Sequence, residues 1–121
     1  MNKNLDARAL AEDLSLRSDC GVQVAAVLSD NYGIFAWGWN STGPDGMGLH
    51  AEKHVLSRAN RKRIEGSKLT VFGRRKKSGG VVFARPCEKF CLPLVIKYGI
   101  AVVEFSTKSG WKSFNSQTAK R

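Results

Sequence analysis

Two short stretches constrain this chain more than anything else in it: Leu49-His50-Ala51-Glu52, and Arg85-Pro86-Cys87-Glu88-Lys89-Phe90-Cys91. Together they offer one histidine and two cysteines, a donor set suited to Zn²⁺ with one coordination position left open. Structural zinc sites close with four protein ligands, whereas catalytic sites keep a place for water. Glu52, two residues beyond His50, is placed to move protons to and from that water.

A His-x-Glu followed later by Pro-Cys and a second cysteine is the signature of zinc-dependent nucleobase deaminases. On these residues the sequence resembles the cytidine and deoxycytidylate deaminase superfamily. The resemblance implies one Zn²⁺ per chain, held by His50, Cys87 and Cys91, with Glu52 as the catalytic acid and base. It also implies a three-layer α/β fold, a mixed sheet of about five strands with helices on both faces. The sequence departs from the usual pattern in one place, since three residues rather than two separate Cys87 from Cys91. On a helix either spacing leaves both thiols on one face. Pro93 leaves two starts open for that helix. A helix from Cys87 would be kinked at Pro93. A helix from near Cys91, after an extra turn, would hold Pro93 in its first turn at no cost.

The rest of the chain suits one domain spanning residues 1–121, enough for a single packed core. No apolar run approaches the roughly 18–20 residues of a membrane span, and the N-terminus lacks a signal-peptide pattern. Three cysteines, two of them proposed ligands, fit a reducing compartment, so a cytoplasmic protein is expected. Cys20 reads as a small buried residue. The net charge is +10, and 13 of the 20 Lys and Arg residues lie between Lys53 and Lys97 against only Glu65 and Glu88. Arg61-Lys62-Arg63 and Arg74-Arg75-Lys76-Lys77 are the local clusters. Such a surface attracts phosphate, although a solvated basic face is the plainer reading.

Along the chain, residues 5–16 read as a helix with Ala7, Leu10, Ala11 and Leu14 inward. Asn4 is its expected N-cap, with Asp6 in the first turn. Residues 22–29 and 34–40 are strands joined by Asp30-Asn31-Tyr32-Gly33, a hairpin turn. Residues 41–48 form a loop, and 50–60 a helix with Ala51, Val55 and Ala59 inward. His50 and Glu52 would share its first turn, where unpaired N–H groups favour negative charge. His54 is a second-choice ligand. Residues 69–75 and 81–84 are short strand candidates, either a hairpin or an interrupted sheet edge. The helix after Cys87 runs to Tyr98, with Phe90, Cys91, Leu94, Val95 and Tyr98 on one face and Gly99 as its stop. Residues 100–106 form a strand, and 107–110 turn the chain into another from Trp111 to Phe114. A connection of four residues closes only a hairpin, so the last two strands are predicted antiparallel. Within the superfamily this resembles the branch of free cytidine deaminases and several toxin deaminases. Residues 115–121 are expected to fray.

The resemblance implies further roles. Asn40 takes the place of an asparagine that contacts the sugar or holds the loop near it. The Ala51 N–H takes the place of a donor to the pyrimidine carbonyl. Trp37 and Trp39 share one side of their strand and either stack on a base or pack in the core. The expected reaction converts cytosine to uracil on a phosphate-bearing substrate, with Arg74, Arg75, Lys76 and Lys77 meeting phosphate. Single-stranded DNA or RNA comes ahead of a pyrimidine mononucleotide in this reading, and a homo-oligomer is compatible with it. The alternatives are free cytidine, deoxycytidine or dCMP as substrate. A further alternative is a non-catalytic nucleic-acid-binding module whose zinc is closed by Cys20 or His54.

Overall fold

In a computed structural model, residues 6–42 and 48–116 are described. The strands are β1 (Val22–Asp30), β2 (Gly33–Trp39), β3 (Lys68–Arg75), β4 (Val102–Thr107) and β5 (Gly110–Asn115). The helices are α1 (Ala7–Ser15), α2 (Ala51–Arg58), α3 (Arg61–Ile64) and α4 (Cys91–Lys97). The strands form one sheet in the order β2-β1-β3-β4-β5. β1 runs antiparallel to both β2 and β3, β3 and β4 are parallel, and β5 returns antiparallel to β4. The last pairing is the one that the short 107–110 connection demands.

The near-continuous apolar run of β1 is explained by burial on both faces. Ala26 and Leu28 point into a core shared with Ala51 and Val55 of α2 and Val95 of α4. Ala25 and Val27 point the other way, against Ala11 and Leu14 of α1. Alternation along one strand thus divides the molecule into three layers, with helices on both faces of the sheet. Leu28, Val55 and Val95 are fully buried, each contributing roughly 1.5–3 kcal/mol of apolar transfer. α2 can lie close on β2 because Gly38 is under it. A Cβ at Gly38 would stand 2.9 Å from the Val55 backbone nitrogen and 3.0 Å from the His54 ring.

Several local expectations are corrected. The cap of α1 is Asp6, whose carboxylate accepts the Arg8 N–H at 2.9 Å; Asn4 and Leu5 lie outside the described residues. α2 ends at Arg58 because Asn60 caps the next turn instead, accepting the Lys62 N–H and opening α3. Residues 81–84 form no strand. Val81 makes one bridge to Arg74, after which the Val82 N–H reaches the Gly73 carbonyl and the Ala84 N–H reaches Ser106. The segment therefore leaves β3 and crosses to the end of β4. Asn115 does not fray, since it pairs with Val102, and the Ser116 N–H donates to Ala101. Residues 117–121 lie outside the described residues, as do 43–47 of the loop before His50.

The choice posed by Pro93 is resolved. α4 starts at Cys91, and Pro93 occupies its first turn, where a missing N–H costs nothing. Residues 87–90 make the extra turn, closed by a 2.8 Å hydrogen bond from the Leu92 N–H to the Cys87 carbonyl. The same wide turn points Phe90 outward, 61% exposed and ahead of α4, so Phe90 does not share the helical face predicted for it with Cys91, Leu94, Val95 and Tyr98. Tyr98 ends the helix, and Gly99 follows with φ +75°, a left-handed stop that favours glycine. Among the described residues no helix is long and apolar enough to cross a membrane.

Candidate metal centre and active site

His50 is the residue just before α2, in extended conformation, and Ala51 is the first residue of the helix. Cys87 opens the wide turn and Cys91 begins α4. These two chain reversals converge at one end of the sheet. His50 Nδ1 lies 3.2 Å from Cys91 Sγ and 4.0 Å from Cys87 Sγ, and all three donor atoms fall within 4.8 Å of one another. Zn–N and Zn–S bonds of roughly 2.0–2.3 Å around a tetrahedral ion need donors about 3.5–4 Å apart, so one imidazole and two thiols at these separations fit zinc. Among the described residues, no other His, Cys, Asp or Glu joins the set. Zinc held by these three alone would keep one position for water, as hydrolytic zinc chemistry requires, and neither Cys20 nor His54 belongs to the set. His54 instead turns to β2, its Nδ1 3.1 Å from the Trp39 backbone nitrogen.

Glu52 is buried beside this set, with 6% of its surface exposed. Burial raises its carboxyl above the ordinary value; its own backbone N–H, the charge of His50 and a hydrogen bond from the Cys91 thiol only partly offset that. Burial also pushes the Cys91 thiol far up, and the negative charge of Glu52 adds to it. A buried thiol beside a buried carboxyl is an arrangement that a divalent cation stabilises, because the cation supplies the missing positive charge. The Cys91 N–H points at Cys87 Sγ from 3.4 Å, a fixed donor to the second sulfur.

A cavity of about 360 Å³ opens over these residues, lined by His50, Ala51, Glu52, Cys87, Asn40 and Phe83 among others. The Asn40 amide shapes one wall through three hydrogen bonds. Its Oδ1 accepts from Ser18 Oγ at 2.6 Å and from the Val24 N–H at 2.9 Å, while Nδ2 donates to the Val22 carbonyl. It thereby clamps the segment carrying Cys20, which is half-buried on the cavity wall and not the core residue expected. A larger cavity, about 810 Å³, lies at the opposite end of the sheet beside Asp30, Lys62, Arg63 and Lys68, remote from the donor set.

Trp37 and Trp39 do share a side, but it is the side away from the cavity. They pair in register with Val27 and Ala25, the residues that face α1, and Trp39 packs against the cluster that holds Ala11 and Leu14. The basic residues also divide. Arg74 turns back onto α1, donating to Ser15 Oγ and the Glu12 carbonyl and lying over Phe72. Arg75, Lys76 and Lys77 are exposed at the tip of β3, where the Lys76 N–H bonds the Gly21 carbonyl next to Cys20. Arg63 is committed to Asp30 by two hydrogen bonds at the far end of the sheet. Sequence reading missed Phe83 and Arg85 in the cavity wall. An aromatic residue three before Pro86, in a segment first read as a strand, was the available signal.

Residues 1–107 match the family described as the cytidine and deoxycytidylate deaminase zinc-binding region. Among solved structures, a cytidine deaminase from Burkholderia pseudomallei superposes with a TM-score of 0.68 at 18% identity, covering 93% of this chain and 91% of its own. The dCMP deaminase of cyanophage S-TIM5 gives 0.64 at 23% identity, covering 84% and 79%. A cytidine deaminase from Mycobacterium leprae gives 0.57 at 20%, covering 88% and 89%. No curated protein matches the chain. The family match spans all three candidate ligands and Glu52, and with it the chain belongs to the cytidine and deoxycytidylate deaminase family of zinc-dependent hydrolytic deaminases.

Proposed function

We propose that this cavity converts cytosine to uracil on a phosphate-bearing substrate, with single-stranded DNA or RNA ahead of a free mononucleotide. His50, Cys87 and Cys91 would hold the metal, and zinc supplies activation of water for attack on ring carbon 4. Glu52 takes one proton from the attacking water and delivers it to the ring nitrogen, then takes the second from the new hydroxyl on carbon 4 and gives it to the departing amine, so that water and cytosine give uracil and ammonia. Its place beside the donor set suits this double duty, because one carboxyl there can serve first as base and then as acid. The Ala51 N–H, first in its helix and without an intrahelical acceptor, is offered to the pyrimidine carbonyl. Asn40 holds the wall that the sugar would meet.

The observation that carries the substrate class is the position of Arg75, Lys76 and Lys77. They are exposed at the same end of the sheet as the cavity, joined through Gly21 to the Cys20 wall. A free nucleoside has no charge for them to meet, whereas successive phosphates do. The test is to supply cytidine, dCMP, and single strands of graded length in DNA and RNA, and to measure uracil and ammonia. Efficiency should rise with strand length. Efficient turnover of cytidine or dCMP with no length dependence would assign the cavity to free pyrimidines instead.

A further inference from the structure

Phe83 and Phe90 are 64% and 61% exposed, an unusual state for two phenylalanines bordering one site. Phe83 lines the cavity and is held in place by an edge contact with Phe105, ring centroids 5.4 Å apart. Phe90 stands edge-on to the His50 imidazole at 6.3 Å, with the Lys89 ammonium 5.6 Å from its ring. Phe90 belongs to neither core, and Phe83 meets one only at its edge, through Phe105. Each is presented by a segment with no regular structure of its own: the extended crossing after β3, and the extra turn that the three-residue cysteine spacing creates.

We propose that Phe83 and Phe90 are two stacking platforms for a single nucleic-acid strand, Phe83 under the target cytosine and Phe90 under an adjacent base. The inference rests on the polynucleotide reading above and deepens it. Exposed aromatic faces bind bases without regard to sequence, and they do so best beside cations that follow the backbone. Here Lys89 accompanies Phe90, and Arg85 sits two residues from Phe83, its guanidinium over the Phe114 ring at 4.7 Å. The extra residue between Cys87 and Cys91 gains a purpose in this account. It lets Cys91 begin the helix while Phe90 swings out to the rim.

The experiment uses zinc-loaded protein and a pyrimidine-rich single strand of about ten nucleotides. Affinity is measured in a Glu52→Gln background, and turnover of strand and dCMP in the active enzyme. Phe83→Ala and Phe90→Ala should each weaken strand affinity about 5- to 150-fold, the range for loss of one base–aromatic stack. Phe83→Tyr and Phe90→Tyr keep the ring and should retain near-normal affinity. Phe90→Ala should raise KM more for the strand than for dCMP, whereas Phe83→Ala should raise both. A strand bound equally well by the alanine variants would overturn the platforms and leave the polynucleotide reading standing. No strand binding by the parent protein would overturn both. If the alanine variants instead change the sedimenting mass, the rings belong to an interface between copies of this chain, and the proposal fails.

Discussion

His50 Nδ1 lies 3.2 Å from Cys91 Sγ, although 41 residues separate them in the chain. Their approach ties α2 to α4, two helices that otherwise touch little. The contact is unfavourable for a thiolate on its own, because burial and the nearby Glu52 both push the Cys91 thiol up. A bound cation reverses that balance, so metal binding and packing at this junction are one event. Zinc-loaded protein should carry one ion per chain, and Cys91→Ser should lower that occupancy. Free zinc at 100 times its Kd stabilises a fold by about 2.7 kcal/mol. Chelation should therefore lower Tm by several degrees. An unchanged Tm on stripping the metal would detach the site from the fold.

Glu52→Gln should fold normally and keep its zinc while losing deamination by at least about 10²–10⁴-fold, the range for positioned acid–base groups. The side chain is buried in the cavity wall but contributes no atom to the donor set. Glutamine preserves its volume and most of its hydrogen bonding. Zinc stoichiometry and uracil release measured on the same sample separate the roles. Parallel loss of metal and activity would make Glu52 a structural residue.

The five strands, the antiparallel final hairpin and the two half-motifs of the donor set were legible because each has a local cause, although residues 81–84, read the same way, make only one bridge. Alternation gives β1 its two buried faces, and a short turn can only close a hairpin. What was not legible depends on partners distant in sequence. Trp37 and Trp39 were correctly placed on one side of β2, but which side faces α1 is fixed by register with Ala25 and Val27. Arg74 looked like its basic neighbours until α1 supplied Ser15 and Glu12 as acceptors. Phe90 fitted a helical stripe only if the helix included it, and the closure between Leu92 and Cys87 excludes it. Gly38 carried no visible signal, yet it sets how closely α2 approaches the sheet.

Glu104 joins α1 to the sheet from β4. It accepts from Arg8 at 2.9 Å and Thr70 at 2.8 Å and pairs with Lys68 at 3.3 Å. Burial alone would raise its carboxyl, but these hydrogen bonds and charges more than offset it and hold the group below the ordinary glutamate value. A depressed pKa contributes stability that is present above the unfolded value, about 4.3, and is lost as pH falls through the folded one. Glu104→Gln should cost about 1.5–3 kcal/mol at pH 7, the scale of hydrogen bonds to a charged group. Its gap to the parent should narrow as pH drops below about 4. Urea midpoints at several pH values read this directly. A gap independent of pH would mean that the loss comes from packing.

Arg75, Lys76 and Lys77 give the substrate reading its sharpest consequence. Arg74 must be left alone, since its contacts with Ser15 and Glu12 anchor α1 and its loss would confuse stability with binding. The three exposed neighbours carry no such duty in the fold: their side chains stand in solvent at the tip of β3. Each that meets a phosphate releases a counterion, and for single strands the slope of log K against log salt changes by about 0.7 per contact. Replacing all three with glutamine should therefore flatten that slope by up to about 2 and raise KM on a polynucleotide at low salt. Turnover of cytidine, which has no phosphate, should barely change. Arg74→Gln supplies the contrast, lowering Tm while moving the salt slope little. If the triple variant keeps the parent slope on a long strand, the basic tip is a solvated face. Phosphate recognition would then have to lie with Arg85 and Lys89 at the rim of the cavity.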